Sequence, residues 1–247
     1  AVEVVAGRPL KEEERIGPYR QPRWAARRRF STVRVYVRPK GYFQIEHWFI
    51  PEVSRDGEWA AESIYELEMD LGHRIQFDLY FVTEQEGIDG PIEIKELAPE
   101  IRWARADWGK IPGNPTFYLE WEWKNGGPPV IEPKLLLGGE LTSRWHWGLN
   151  FIYEQTVGGE EMEREIGVTL GISYTVVDQK LSIGGEVKAE VEFEEEEEGE
   201  VEKEFELLVG PSMRWFPIPE VHIDFAPLFG VTEEPLMQTY VIIGWEF

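Results

Sequence analysis

The 247-residue chain contains no cysteine, which excludes a disulfide framework, a thiolate metal centre and a cysteine nucleophile. It also lacks any apolar run near the roughly 18 residues of a membrane helix, so helical spans are excluded. Positive charge is scarce: 25 Lys and Arg face 47 Asp and Glu, a net charge of -22 that would repel a nucleic acid. No basic segment followed by an apolar stretch opens the sequence at Ala1, so any export signal is expected to lie outside it. The mean hydropathy of -0.37 reads as that of a water-soluble protein. Such an average is blind to strands that cross lipid over ~9–11 residues with only every second side chain apolar.

What basic charge there is concentrates at one end. Residues 1–40 hold eleven basic against four acidic side chains, a net of +7, which leaves -29 on the remainder. This divides the chain into a basic N-terminal extension, 1–40, with little apolar periodicity before Val33, and a second region, 41–247, that alternates with period two. Trp145, Trp147, Leu149, Phe151 and Tyr153 alternate with His146, Gly148, Asn150, Ile152 and Glu154; Ile75–Val82 and Glu165–Tyr174 split the same way. Cutting at turn signals predicts twelve strands: 43–54, 58–71, 73–84, 92–105, 115–124, 130–142, 144–156, 161–176, 180–194, 203–216, 219–230 and 236–247. Their connections alternate between tight links (71–74, 142–144, 177–180, 217–219) and longer loops, with 106–115 the exception on the tight side. Alternation of this kind describes an all-β, closed, antiparallel up-and-down transmembrane barrel.

Aromatic residues make up 13% of the chain, with 11 Trp. On the greasy face they gather toward both strand ends, as in the interfacial girdles of membrane barrels: Trp103, Trp145, Trp147, Trp215, Trp245 and Phe247 toward the short turns, Trp121, Trp123 and Tyr153 toward the long loops. A soluble sandwich would hold them mid-strand. The other face carries Glu66, Glu68, Asp78, Glu100, Arg102, Glu120, Glu122, Lys134, Glu140, Glu186, Lys188, Arg214 and Asp224, charges that need water or partners. They are the expected pore lining. Glycines on that face, such as Gly138, Gly148 and Gly171, are read as serving curvature.

The final strand, Gln238–Phe247, resembles the C-terminal strand of bacterial outer-membrane β-barrel proteins through Val241, Ile243, Trp245 and Phe247. It departs from that pattern in carrying Ile242 where a glycine is frequent, with Gly244 nearby. Arg102–Pro115 resembles segments of uncharacterised porin-like proteins of Gram-negative bacteria. The resemblance implies an outer-membrane location, contact with lipid and lipopolysaccharide, and recognition of the last strand by the barrel-assembly machinery.

Candidate chemistry is thin. His146, and His222 with Asp224, share the polar face, but no serine in a nucleophile context accompanies them, so an outer-membrane hydrolase ranks third. The acidic run Glu194–Glu198 could hold divalent cations that bridge lipopolysaccharide, but lacks the spacing of a calcium loop. No metal and no cofactor is expected. Arg27, Arg28 and Arg29 could fold into the acidic lumen as a plug, or belong to a flexible arm. Twelve strands enclose a narrow lumen. The leading expectation is a passive pore for small solutes or ions, cation-preferring and not an enzyme; the alternative is a non-conducting structural or binding barrel.

Overall fold

The computed structural model describes residues 9–159, 163–195, 201–232 and 234–247. Twelve strands close on themselves in sequence order: β1 (Phe43–Val53), β2 (Trp59–Gly72), β3 (Ile75–Glu86), β4 (Ile92–Ala104), β5 (Thr116–Lys124), β6 (Val130–Glu140), β7 (Trp145–Thr156), β8 (Glu163–Val177), β9 (Leu181–Glu195), β10 (Val201–Ile218), β11 (Val221–Gly230) and β12 (Met237–Glu246). Every neighbouring pair is antiparallel, and β12 returns to β1 with Trp245 opposite Ile45. Closure leaves no unpaired sheet edge, which a lipid environment demands because it offers no competing hydrogen bonds. The predicted strand bounds agree with the observed ones to within two residues.

The tight links are tight for local reasons. Between β2 and β3, His73 and Arg74 both take positive φ (57° and 64°), the two-residue hairpin geometry that matches strand twist, and Asp70 Oδ1 accepts the Gly72 N–H at 2.8 Å. Gln179, at φ 59°, turns the chain between β8 and β9. The longer loops gather at the opposite end of the cylinder. The acidic run predicted from Glu194 leaves the described residues after Glu195.

Burial is inverted relative to a water-soluble barrel. Trp245 is 56% exposed while Glu246, next in the chain, is 4% exposed. The same holds around the ring: Trp103, Trp123, Trp145, Tyr153, Trp215 and Phe247 lie exposed on the outside, with Trp121 and Trp147 half-buried there, whereas Glu46, Glu66, Asp78 and Arg102 are buried. Aromatic neighbours stack across adjacent strands on the exterior, Trp103 on Phe117 (5.7 Å) and Trp145 against Tyr174 (5.0 Å). Such an apolar jacket loses nothing in lipid and would be a large unshielded patch in water.

Inside, the apolar core is built on the N-terminal segment. Tyr19, Trp24, Phe30, Val33, Val35, Tyr36 and Val37 cluster with Ala104 and Trp108. The unusually long 105–115 connection thereby gains a reason: Trp108 meets Trp24 and Tyr36 edge-on (5.4 and 5.2 Å), its N–H donates to the Tyr19 carbonyl (3.0 Å), and Tyr36 OH donates to the Ala106 carbonyl (2.6 Å). The glycines also do more than permit curvature. A Cβ on Gly171 would lie 2.5 Å from Phe30, and one on Gly148 would lie 2.7 Å from Val33. Side chains of the inner segment occupy the room that those residues leave.

Candidate functional site

The segment inside the barrel forms little regular structure of its own: one turn of 3-10 helix at Lys11–Glu13 and a two-residue ladder of Arg15–Ile16 with Gln21–Pro22. Its backbone polar groups must therefore find partners elsewhere. The barrel's inward side chains supply them. Glu186 accepts the N–H groups of Ser31 (2.9 Å) and Thr32 (2.7 Å), Asn150 accepts from and donates to the Arg34 backbone (2.9 and 2.6 Å), and Gln76 accepts the Arg38 N–H (2.8 Å). These anchors stand on β9, β7 and β3, so the segment is held from several sides of the ring.

Charge completes the attachment. Arg28 Nε lies 3.0 Å from Glu46, Arg34 Nη2 2.8 Å from Glu66, and Arg38 Nη2 2.6 Å from Glu68. The face of Trp48 carries Arg28 at 4.0 Å and Arg34 at 5.0 Å. Arg29 bonds Ser173 and Thr175 (both 2.7 Å) and pairs with Glu12 (3.4 Å), while Arg27 pairs with Glu246 (3.0 Å) and Arg15 with Glu140 (3.3 Å). Burial pushes the Glu12 carboxyl above its usual value, and the Arg29 guanidinium partly opposes this. Arg102, from β4, serves Asp78 (2.9 Å) and Glu100 in the same layer. Removing one member of such a buried pair typically costs about 3–5 kcal/mol, because the other is left desolvated.

Beyond this filled half, toward the long loops, the lumen opens into a vestibule of about 290 Å3 whose floor is Ser31, Thr32 and Arg34. Glu96, Glu120, Glu122, Glu132, Glu154, Glu165 and Glu190 line it, with Trp48, Tyr80, Tyr118 and Tyr240 between them. Its lysines are engaged: Lys134 with Glu132 (2.7 Å) and Lys188 with Glu190 (2.5 Å), while Lys124 bridges Glu122 (2.6 Å) and Glu96 (2.8 Å) nearby. Carboxyl groups outnumber basic side chains among the residues that line it.

Every charged residue predicted for the polar face does point inward, but the set divides between two environments. Glu66, Glu68, Asp78, Glu100, Arg102, Glu186, Arg214 and Asp224 lie in the filled half, Glu140 sits at the short-turn rim, and Glu120, Glu122, Lys134 and Lys188 face the vestibule. Sequence reasoning missed Glu46, the hub for Arg28, His222 and Gln44, and the anchoring roles of Arg34 and Arg38. The alternation of Gln44, Glu46 and Trp48 on β1 was the available signal for Glu46. His222 bonds Asp224 (2.6 Å) and faces Glu46 (3.2 Å), and its described hydrogen-bond partners include no hydroxyl. His146 bonds Arg29 (2.8 Å) and packs against Trp24 with the rings tilted (4.4 Å). His146 thus packs between segment and wall, whereas the described contacts of His222 are with wall residues.

No family model and no curated protein matches the sequence. Among solved structures, an outer membrane channel from Pseudomonas putida F1 is similar with a TM-score of 0.61 at 10% identity, over 86% of this chain and 98% of that one. The NanC porin gives a TM-score of 0.55 at 9% identity, over 83% of this chain and 98% of that one. At such identities the likeness is one of fold. Together with the apolar exterior and the twelve-strand closure, it makes this a transmembrane β-barrel of the bacterial outer-membrane type.

Proposed function

We propose that the chain is a narrow passive channel of the Gram-negative outer membrane, cation-preferring, whose own N-terminal segment closes the periplasmic half of the lumen. The vestibule carries this reading: an acidic, water-accessible cup at the long-loop, extracellular end that stops on Ser31, Thr32 and Arg34. Carboxylate-lined constrictions favour cations and reject anions. The fold shared with an outer membrane channel and a porin supports a pore role. In planar bilayers, deleting residues 1–40 should raise single-channel conductance severalfold, with a reversal potential in a salt gradient directed toward the cation. Unchanged conductance removes the plug, and clear anion selectivity removes the cation preference.

One observation favours a second reading. The filled half carries so many ion pairs between segment and wall that the barrel could serve as a non-conducting structural or binding element, in which case neither the intact chain nor the deletion variant conducts. The strand ending at Phe247 is proposed as the signal for the assembly machinery, so Phe247→Ala should lower the amount of barrel inserted in cells. Contact with lipopolysaccharide follows from the same location and belongs to the long-loop end.

A further inference from the structure

At the short-turn mouth, between the N-terminal segment and strands β9 and β10, lies a crevice with chemistry opposite to that of the vestibule. It measures about 30 Å3 and is lined by Arg23, Arg27, Arg28, Arg29, Lys180 and Arg214; among the described lining residues Glu12 is the one acid. Arg23, Arg27, Arg28 and Arg29 each meet a carboxylate, those of Glu14, Glu246, Glu46 and Glu12.

Unmatched hydrogen-bond donors supply a second, independent sign. Three residues that line the crevice, Trp24, Arg28 and Arg214, are each 3% exposed, and their Nε1, Nη2 and Nη2 atoms respectively have no hydrogen-bond partner. Arg214 Nε reaches only Asp224, at 3.6 Å, and the other oxygen of that carboxylate is taken by His222 at 2.6 Å. The carboxylate facing Arg28 Nη2, that of Glu66, is 3.8 Å away and is held by Arg34 at 2.8 Å. Buried polar groups without partners are rare in native proteins. All three here are donors, so the partner they call for is an acceptor. Phe216 adds geometry, carrying Arg27 at 4.6 Å and Arg214 at 4.7 Å on one ring, which holds two like charges together at the crevice wall.

We propose that this crevice binds a small oxyanion, a phosphate or carboxylate group, entering from the short-turn mouth. The volume admits one phosphate or carboxylate group and not a larger solute. Guanidinium forks suit planar or tetrahedral oxyanions, and the crevice offers several. The site is independent of whether the barrel conducts.

Calorimetric titration of the refolded full chain in detergent, at pH 7 and fixed ionic strength, tests the site with inorganic phosphate in one arm and acetate in the other. Saturable binding of either at one equivalent is expected, the preferred arm identifying phosphate or carboxylate as the group. Arg214→Met should weaken it about tenfold, the worth of one charge-assisted hydrogen bond. Lys180→Gln alters an exposed crevice residue and should weaken binding severalfold without disturbing a buried pair, so it decides the matter should Arg214→Met fail to fold. No saturable heat with either anion, or binding that both variants leave unchanged, overturns the proposal.

Discussion

The two halves of the lumen are lined by the same kind of wall and behave differently. In the short-turn half, Glu46, Glu66 and Glu68 each meet an arginine delivered by the N-terminal segment, whose side chains fill most of the space. In the long-loop half, Glu120, Glu122 and Glu132 meet only lysines or tyrosines from the wall, around a cavity of about 290 Å3. An inward carboxylate is thus neither a pore feature nor a structural one by itself. Whether a cation is brought to it from elsewhere in the chain decides which it becomes.

That contrast can be broken from the filled side first. Arg34→Met leaves Glu66 buried without its closest partner, and urea unfolding of the refolded protein should show a loss of about 3–5 kcal/mol; a loss below 1 kcal/mol would mean that water already serves this layer. Next in size, Gly171→Leu drives a side chain into the place of Phe30 and should cost about 1–3 kcal/mol while loosening the segment, read as faster protease cleavage within residues 9–40. The same change at Gly158, which has no atom near its Cβ but takes a φ of 80°, reports backbone strain alone and provides the control.

On the open side the effects shrink, because no arginine of the segment is left unpaired when a wall carboxylate there is removed. Replacing Glu120 and Glu122 together by Gln should lower the cation-to-anion permeability ratio by roughly twofold, as expected when two carboxylates of the lining are lost. The smallest effect belongs to Glu12. Its carboxyl is held above the ordinary value, so the stability that it contributes is complete below that value, 4.5, and is lost as pH rises through the folded-state value. Glu12→Gln should therefore flatten the decline in unfolding free energy above pH 4.5, seen as a difference between native and variant curves.

The barrel was legible in the sequence because a two-sided strand writes its period directly: from Trp145 to Glu154 every residue falls on the predicted side. Gly72-His-Arg-Ile75 gave its turn away through brevity alone, since neither His73 nor Arg74 advertises positive φ. Residues 9–42 were opaque for the converse reason. Their conformation follows no period, and several of their contacts are made with side chains 100 or more residues away, such as Asn150 and Glu186. Composition revealed the attraction between a basic segment and an acidic wall but not the partner of each charge. It could not separate Glu66, sealed under Arg34, from Glu120, facing the vestibule. The inner glycines carried a usable hint, because Gly148 and Gly171 mark space reserved for Val33 and Phe30.

Closure of the lumen by its own N-terminal segment is tested most directly by tying that segment down. A chain without cysteine permits a clean Val33→Cys and Gly148→Cys pair: Val33 Cγ1 lies 2.7 Å from where a Cβ on Gly148 would stand, within reach of a disulfide after small adjustment. In planar bilayers the oxidised pair should conduct no more than the native chain and severalfold less than the chain lacking residues 1–40. A bridged chain that conducts as well as the chain lacking residues 1–40 would contradict closure of the lumen by the segment.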